Sequence, residues 1–166
     1  MTNSTRNTSQ MAASLAERIL QGAQELTSFA EKLSKAEWMT PVKGDGRSIG
    51  VVVHHVASTY PMEIELAQVL AAGDPITGAT MEVVNKMNAE HAKENSGVSK
   101  EETLELLKQN SGNAANAVRC FSDEDLQSAA KVSLNANAPL TAQFFIEDHA
   151  LRHSYHHLAK IRETLA

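Results

Sequence analysis

Histidines set into apolar helical stripes are the residues of this chain with the clearest chemical potential. One stripe lies in residues 48–70, SIGVVVHHVASTYPMEIELAQVL; the other lies in residues 141–165, centred on DHALRHSYHHLAKI. A helix turns by about 100° per residue, which separates inward from outward positions. His55 shares a face with Val51, Val52, Thr59, Met62, Leu66 and Leu70, whereas His54 points away beside Ser58. His153 and His157 are neighbours at i, i+4, in line with Ile146, Ala150 and Ile161. His156 falls on the opposite side near Lys160, and His149 drifts towards the outer face. For any one of these the plain alternative is a core histidine bonded to a backbone carbonyl. Each unpaired buried imidazole costs about 1–3 kcal/mol, and a divalent metal is the partner that suits several at once. The candidate ligands are therefore His55, His153 and His157.

His91 follows Val84 and Met87 at helical spacing and could also face inward, although a half-buried place on an amphipathic helix is the simpler reading. As a fourth ligand it would close the site and make it structural rather than catalytic. Other metal motifs are absent. No histidine has Glu three residues before it, as di-iron bundles require, and His-Glu-x-x-His does not occur. Three histidines without a carboxylate resemble the ligand set of carbonic anhydrase more than that of a metalloprotease. A bis-histidine haem would need a wide pocket and more aromatic residues than the 4% present.

Helices must position these residues, because periodicity near 3.6 dominates and no alternating strand pattern competes with it. Leu15, Ile19, Leu26, Phe29 and Leu33 mark a first helix over 9–33. Pro41, Gly44 and Gly46 break the connection over 38–47, and Ser48 caps a second helix that runs to Gly73 and contains Pro61. Thr80 opens a third helix ending near Gly97, and Ser99-Lys100-Glu101-Glu102 reads as a capping box before a fourth. Leu104, Leu107, Ser111, Ala114 and Val118 line one face of that helix. Ser122-Asp123-Glu124-Asp125 starts a short helical turn, 131–139 reads as a loop, and the last long helix begins at Thr141. Four long helices and a crossover helix over 80–97 point to an all-α four-helix bundle. The connection from Gly73 to Ser99 is long enough to return along the bundle and leave the middle two helices parallel.

At 166 residues the chain fits one domain, expected over 9–166 behind a disordered polar tail at 1–8. A formal charge of −5 argues against nucleic-acid binding, which needs clustered Lys and Arg. No run of apolar residues is long enough to span a membrane, and MTNSTRNTSQ lacks the apolar region of a secretory signal. The lone Cys120 fits a reducing cytoplasm and, from its apolar helical surroundings, is expected to be buried.

Residues 48–57, SIGVVVHHVA, and 152–161, RHSYHHLAKI, resemble the DinB/YfiT-like superfamily of metalloenzymes. That family carries His-[Val/Leu/Ile]-Ala on its second helix and His-x-x-x-His, followed closely by Ile, on its last. The first element falls on His55-Val56-Ala57 and the second on His153 and His157 with Ile161, the same residues that helical phase selects. Lys160 stands where relatives often have Gln. The resemblance implies an up-down-down-up bundle, with a divalent metal, nickel or zinc, at the bottom of a pocket. It also implies homodimers and reactions that use low-molecular-weight thiols. The expected function is thus a cytoplasmic metal-dependent hydrolase or thiol-dependent transferase acting on a small molecule. Asp148, Glu63 and Glu147 lie near enough in sequence to serve as a general base. The alternatives are a non-catalytic bundle stapled by its metal, a dimerisation module, or a helical interaction domain with merely buried histidines.

Overall fold

The computed structural model describes residues 9–166, and the expected tail at 1–8 lies outside them. Helix α1, Gln10–Ala30, is capped by Ser9, whose hydroxyl accepts from the Ala12 N–H. It stops one turn short of the expected end, yet Leu33 beyond it is still buried. A short helix that periodicity did not reveal, α2 at Lys35–Trp38, opens with a Ser34–Glu37 capping box. Helix α3, Ile49–Ala71, starts at the expected Ser48 cap and runs through Pro61. Helix α4, Met81–Glu94, is the crossover, with Thr80 as its cap. Helix α5, Lys100–Val118, has half of its expected box: Ser99 accepts from the Glu102 N–H while its own hydroxyl turns to Glu101. Helix α6, Asp123–Gln127, carries the full Ser122–Asp125 box.

Two sequence expectations fail. Residues 131–139, read as a loop, belong to an antiparallel hairpin of β1, Ala129–Val132, and β2, Ala138–Thr141, with Lys131 opposite Pro139. The turn places Ala136 and Asn137 at positive φ without any glycine, and Pro139 stands in a strand of only four residues. Neither feature announces a hairpin. Cys120 is exposed rather than buried, because α5 ends at Val118 and the thiol sits in the following turn. The last helix is also interrupted. α7, Ala142–Ile146, passes through a single π-helical turn at Glu147–Leu151 before α8, Arg152–Leu165.

Contacts between the helices fix their directions. Trp38 sits against Gly50 near the start of α3 and donates its indole N–H to Val98 just before α5, so α3 and α5 begin at one end and run parallel. A Cβ at Gly50 would collide with that indole, so the residue must be glycine. Lys100 at the start of α5 donates to the carbonyls of Glu31 and Leu33 just after α1, and Ser9 before α1 donates to Asp123 beyond α5. Those two helices are therefore antiparallel. Arg18 meets Glu147, and further along Gly22 lies against Ser154 and Tyr155, so α1 and α8 run the same way. The result is an up-down-down-up four-helix bundle of α1, α3, α5 and α8, with α4 as the crossover. No helix among the described residues is long and apolar enough to cross a membrane.

Candidate metal centre

Helices α3 and α8 run antiparallel, and buried polar groups cluster on their facing sides. Tyr60 and Ser154, both fully buried, share a hydrogen bond of 2.7 Å between the two helices. On either side of that link stand the histidines. One ligating atom from each of His55, His153 and His157 lies within 4.8 Å of the others, so the three could hold one metal ion. The three rings lie with centroids 4.8–5.5 Å apart. His55 and His157 are buried and His153 is half-buried. The π turn just before α8 is the kind of local widening of a helix that recurs at functional sites.

Burial sets the charge state. Desolvation pushes the His55 imidazolium down to about 2, with electrostatic contributions from the neighbouring His153 and Arg47 acting in the same direction. Desolvation likewise takes His157 down to about 3. Both imidazoles are therefore neutral over the ordinary pH range, the form that donates a lone pair to a metal.

The remaining histidines stand outside the three-histidine group, but His91, His149 and His156 line the same cavity, and the His91 ring centroid lies 5.6 Å from that of His55. His91 sits 2.9 Å from His54 and 3.3 Å from Ser58. The Ser58 hydroxyl donates to the His55 carbonyl, which leaves its oxygen to accept from His91 Nε2, and that nitrogen also lies at hydrogen-bond distance from His54 Nδ1. His91 thus tethers α4 to α3 and does not join the three-histidine group. His149 stacks on Phe145, and His156 is exposed. Of the three acids considered as bases, Glu147 pairs with Arg18 and Asp148 with Arg152. Glu63 is buried and lies 2.8 Å from His153 Nδ1.

The three imidazoles line a cavity of about 750 Å³. Met62 and Leu66 of α3, Met81, Val84 and Met87 of α4, and Phe145 of α7 form its apolar walls. Ile76, Val132 and Leu134 close another side, held there because the Ile76 N–H donates to Lys131 and the Ser133 N–H to Ile76. The hairpin missed in the sequence is therefore part of the pocket wall. Asp45 and Arg47, joined by two hydrogen bonds of 2.7 Å, also line it, and nothing in their spacing marked them.

Comparison with known proteins agrees with this fold. The structure resembles that of YfiT from Bacillus subtilis, described as "a probable metal-dependent hydrolase with an unusual four-helix bundle topology". The TM-score is 0.74 and the identity 16%, over 99% of this chain and 91% of that one. It also resembles the mycothiol-dependent maleylpyruvate isomerase, with a TM-score of 0.69 and 12% identity over 90% of this chain. The chain spans 60% of that isomerase's length. No significant match was found among curated proteins. The family model of the DinB superfamily matches residues 18–161, so the chain belongs to the DinB superfamily.

Proposed function

We propose that the protein is a metal-dependent enzyme in which His55, His153 and His157 hold a divalent ion, nickel or zinc, at the floor of the pocket. One observation carries the reading: three imidazoles, two of them held neutral by burial, come together on the lining of a cavity of about 750 Å³. An all-nitrogen donor set of this kind suits zinc and nickel. A divalent ion there would acidify a bound water or thiol and polarise a carbonyl. His91 is engaged by His54 and Ser58, which leaves the pocket side of the group to a substrate rather than to a fourth histidine.

The walls define what enters. Methionine, leucine and phenylalanine side chains suit a small molecule with an apolar portion, and methionines adapt to irregular shapes. The reaction class is hydrolysis or a low-molecular-weight-thiol-dependent transfer; one structural relative is described as a probable metal-dependent hydrolase and the other as a mycothiol-dependent isomerase. A cytoplasmic homodimer belongs to the same reading; the family resemblance supports the dimer, and a single cysteine fits a reducing compartment.

Elemental analysis of protein purified without added metal, followed by zinc and nickel titration, tests the site directly. Stoichiometric binding that His157→Ala abolishes, and ester, amide or thiol-transfer turnover by the loaded protein only, are the expected results. A protein that binds neither ion would defeat the proposal.

A further inference from the structure

Glu63 is a carboxylate where the helix calls for an apolar residue. It is 6% exposed, on the α3 face that packs against α8, and its Oε2 has no hydrogen-bond partner among the described residues. Burying an ionised carboxylate is expensive unless a charge or a strong donor answers it. The answering group is His153 Nδ1, 2.8 Å from Oε1.

The local hydrogen bonds decide which atom carries the proton. Thr59 Oγ1 donates to the Val56 carbonyl at 3.2 Å, so the lone pair of that oxygen faces His153 Nδ1, also at 3.2 Å. With Glu63 as a carboxylate and the Thr59 proton on the Val56 carbonyl, Nδ1 faces two acceptors, Glu63 Oε1 and Thr59 Oγ1, an arrangement that places the proton on Nδ1. In a neutral imidazole with its proton on Nδ1, Nε2 keeps its lone pair. Thr59 and Glu63 are one helical turn apart on α3, so one face of that helix grips one edge of a ring on α8.

We propose that Glu63, assisted by Thr59, is a positioning residue that fixes His153 as the Nδ1–H tautomer and presents its Nε2 to the three-histidine group. The inference rests on the metal reading given above for its purpose, but the tautomer itself does not. A carboxylate behind a ligating imidazole orients the ring and raises its basicity, and losing such a partner costs about 10–100-fold in metal affinity. Among the described residues no carboxylate is hydrogen-bonded to the ring of His55 or His157, so His153, the most exposed of the three, is the one whose rotation a tether must prevent.

Long-range proton–nitrogen correlation on metal-free, nitrogen-15-histidine protein at neutral pH reads the tautomer, with His153 signals assigned by their loss in His153→Asn. The wild type should show Nδ1–H at His153. Glu63→Gln, whose amide oxygen still accepts, should keep it, whereas Glu63→Ala should shift the ring towards Nε2–H. Zinc titration should show a loss of about 10–100-fold for Glu63→Ala and a smaller one for Glu63→Gln. Nε2–H in the wild type overturns the proposal, as does a Glu63→Gln protein no better than Glu63→Ala. Should Glu63→Ala not fold, the wild-type tautomer still decides. The expected tautomer in a wild type that binds no zinc upholds the tether while defeating the metal reading.

Discussion

The α1–α5 side of the bundle and the α3–α8 side are built to different rules. On α1 and α5 the buried residues include Leu15, Ile19 and Leu26 on one helix and Leu107, Ala114 and Val118 on the other, with Thr103 and Ser111 the buried polar side chains of α5. Between α3 and α8 the buried or half-buried residues include His55, Tyr60 and Glu63 against His153, Ser154 and His157. The first side is mostly hydrocarbon, where each methylene removed from water adds to stability. The second gives up hydrocarbon for polar groups that need partners, and finds them in one another and in a pocket. One side holds the bundle shut, and the other uses that rigidity to keep imidazoles aimed at a common point.

Substitutions on the two sides should therefore fail in different ways. Leu15→Ala or Leu107→Ala, each at a position of zero exposure, should lower unfolding stability by about 2–5 kcal/mol through lost burial and the cavity left behind. The folded fraction should bind zinc as tightly as wild type. His157→Ala should abolish zinc binding while circular dichroism and the denaturant midpoint of the metal-free protein stay close to wild type. Denaturant titration and calorimetric zinc titration on the same samples separate the two. A Leu15→Ala protein that is fully folded but loses its metal would break the division.

The polar side was the more legible in the sequence. His55, His153 and His157 stand out because a histidine at a phase otherwise occupied by Val, Ile and Ala breaks the apolar pattern. The four long helices follow from the same periodicity, and the caps at Ser48 and Ser99 from local hydrogen-bonding chemistry. What escaped depends on distant partners. The β1–β2 hairpin is stabilised by Ile76 from another loop, which no local window around 131–139 contains. The His54–His91 bond joins residues from two helices whose packing the sequence does not state, so His54 read simply as outward. The environment of Cys120 turned on where α5 ends, two residues before it.

Acid should sharpen the contrast. Burial holds His55 and His157 well below the ordinary histidine value of about 6.5, so below that pH the unfolded chain takes up protons that the folded chain refuses. Stability of the metal-free protein should be complete above about pH 6.5 and fall as the pH drops. Each histidine contributes up to about 1.4 kcal/mol per pH unit, until the folded values of about 3 and about 2 are approached. Denaturant midpoints across that window give the slope. His157→Gln should flatten it by one group's share, and Leu107→Ala should shift the whole curve without changing its slope. An identical slope in His157→Gln and wild type would show that this imidazole is not desolvated.

The smallest effect concerns α4, which belongs to neither side. No residue of α4 is buried, and Met81 is 59% exposed, so its place over the pocket depends on few contacts. The bond from His91 to His54 and Ser58 is one of them, worth about 0.5–1.5 kcal/mol net. Helices held this weakly open locally well below the free energy of global unfolding. His91→Ala should therefore speed amide exchange within Met81–Glu94 while leaving α1, α3 and α5 protected as before. Zinc affinity should stay within about threefold of wild type, a change of about 0.6 kcal/mol that is no more than the net worth of one hydrogen bond. A large loss of zinc binding would instead make His91 a ligand, close the site with a fourth histidine, and favour a structural staple over an enzyme. Unchanged exchange in α4 would show that the apolar pocket wall, and not the His54–His91 bond, holds this helix down.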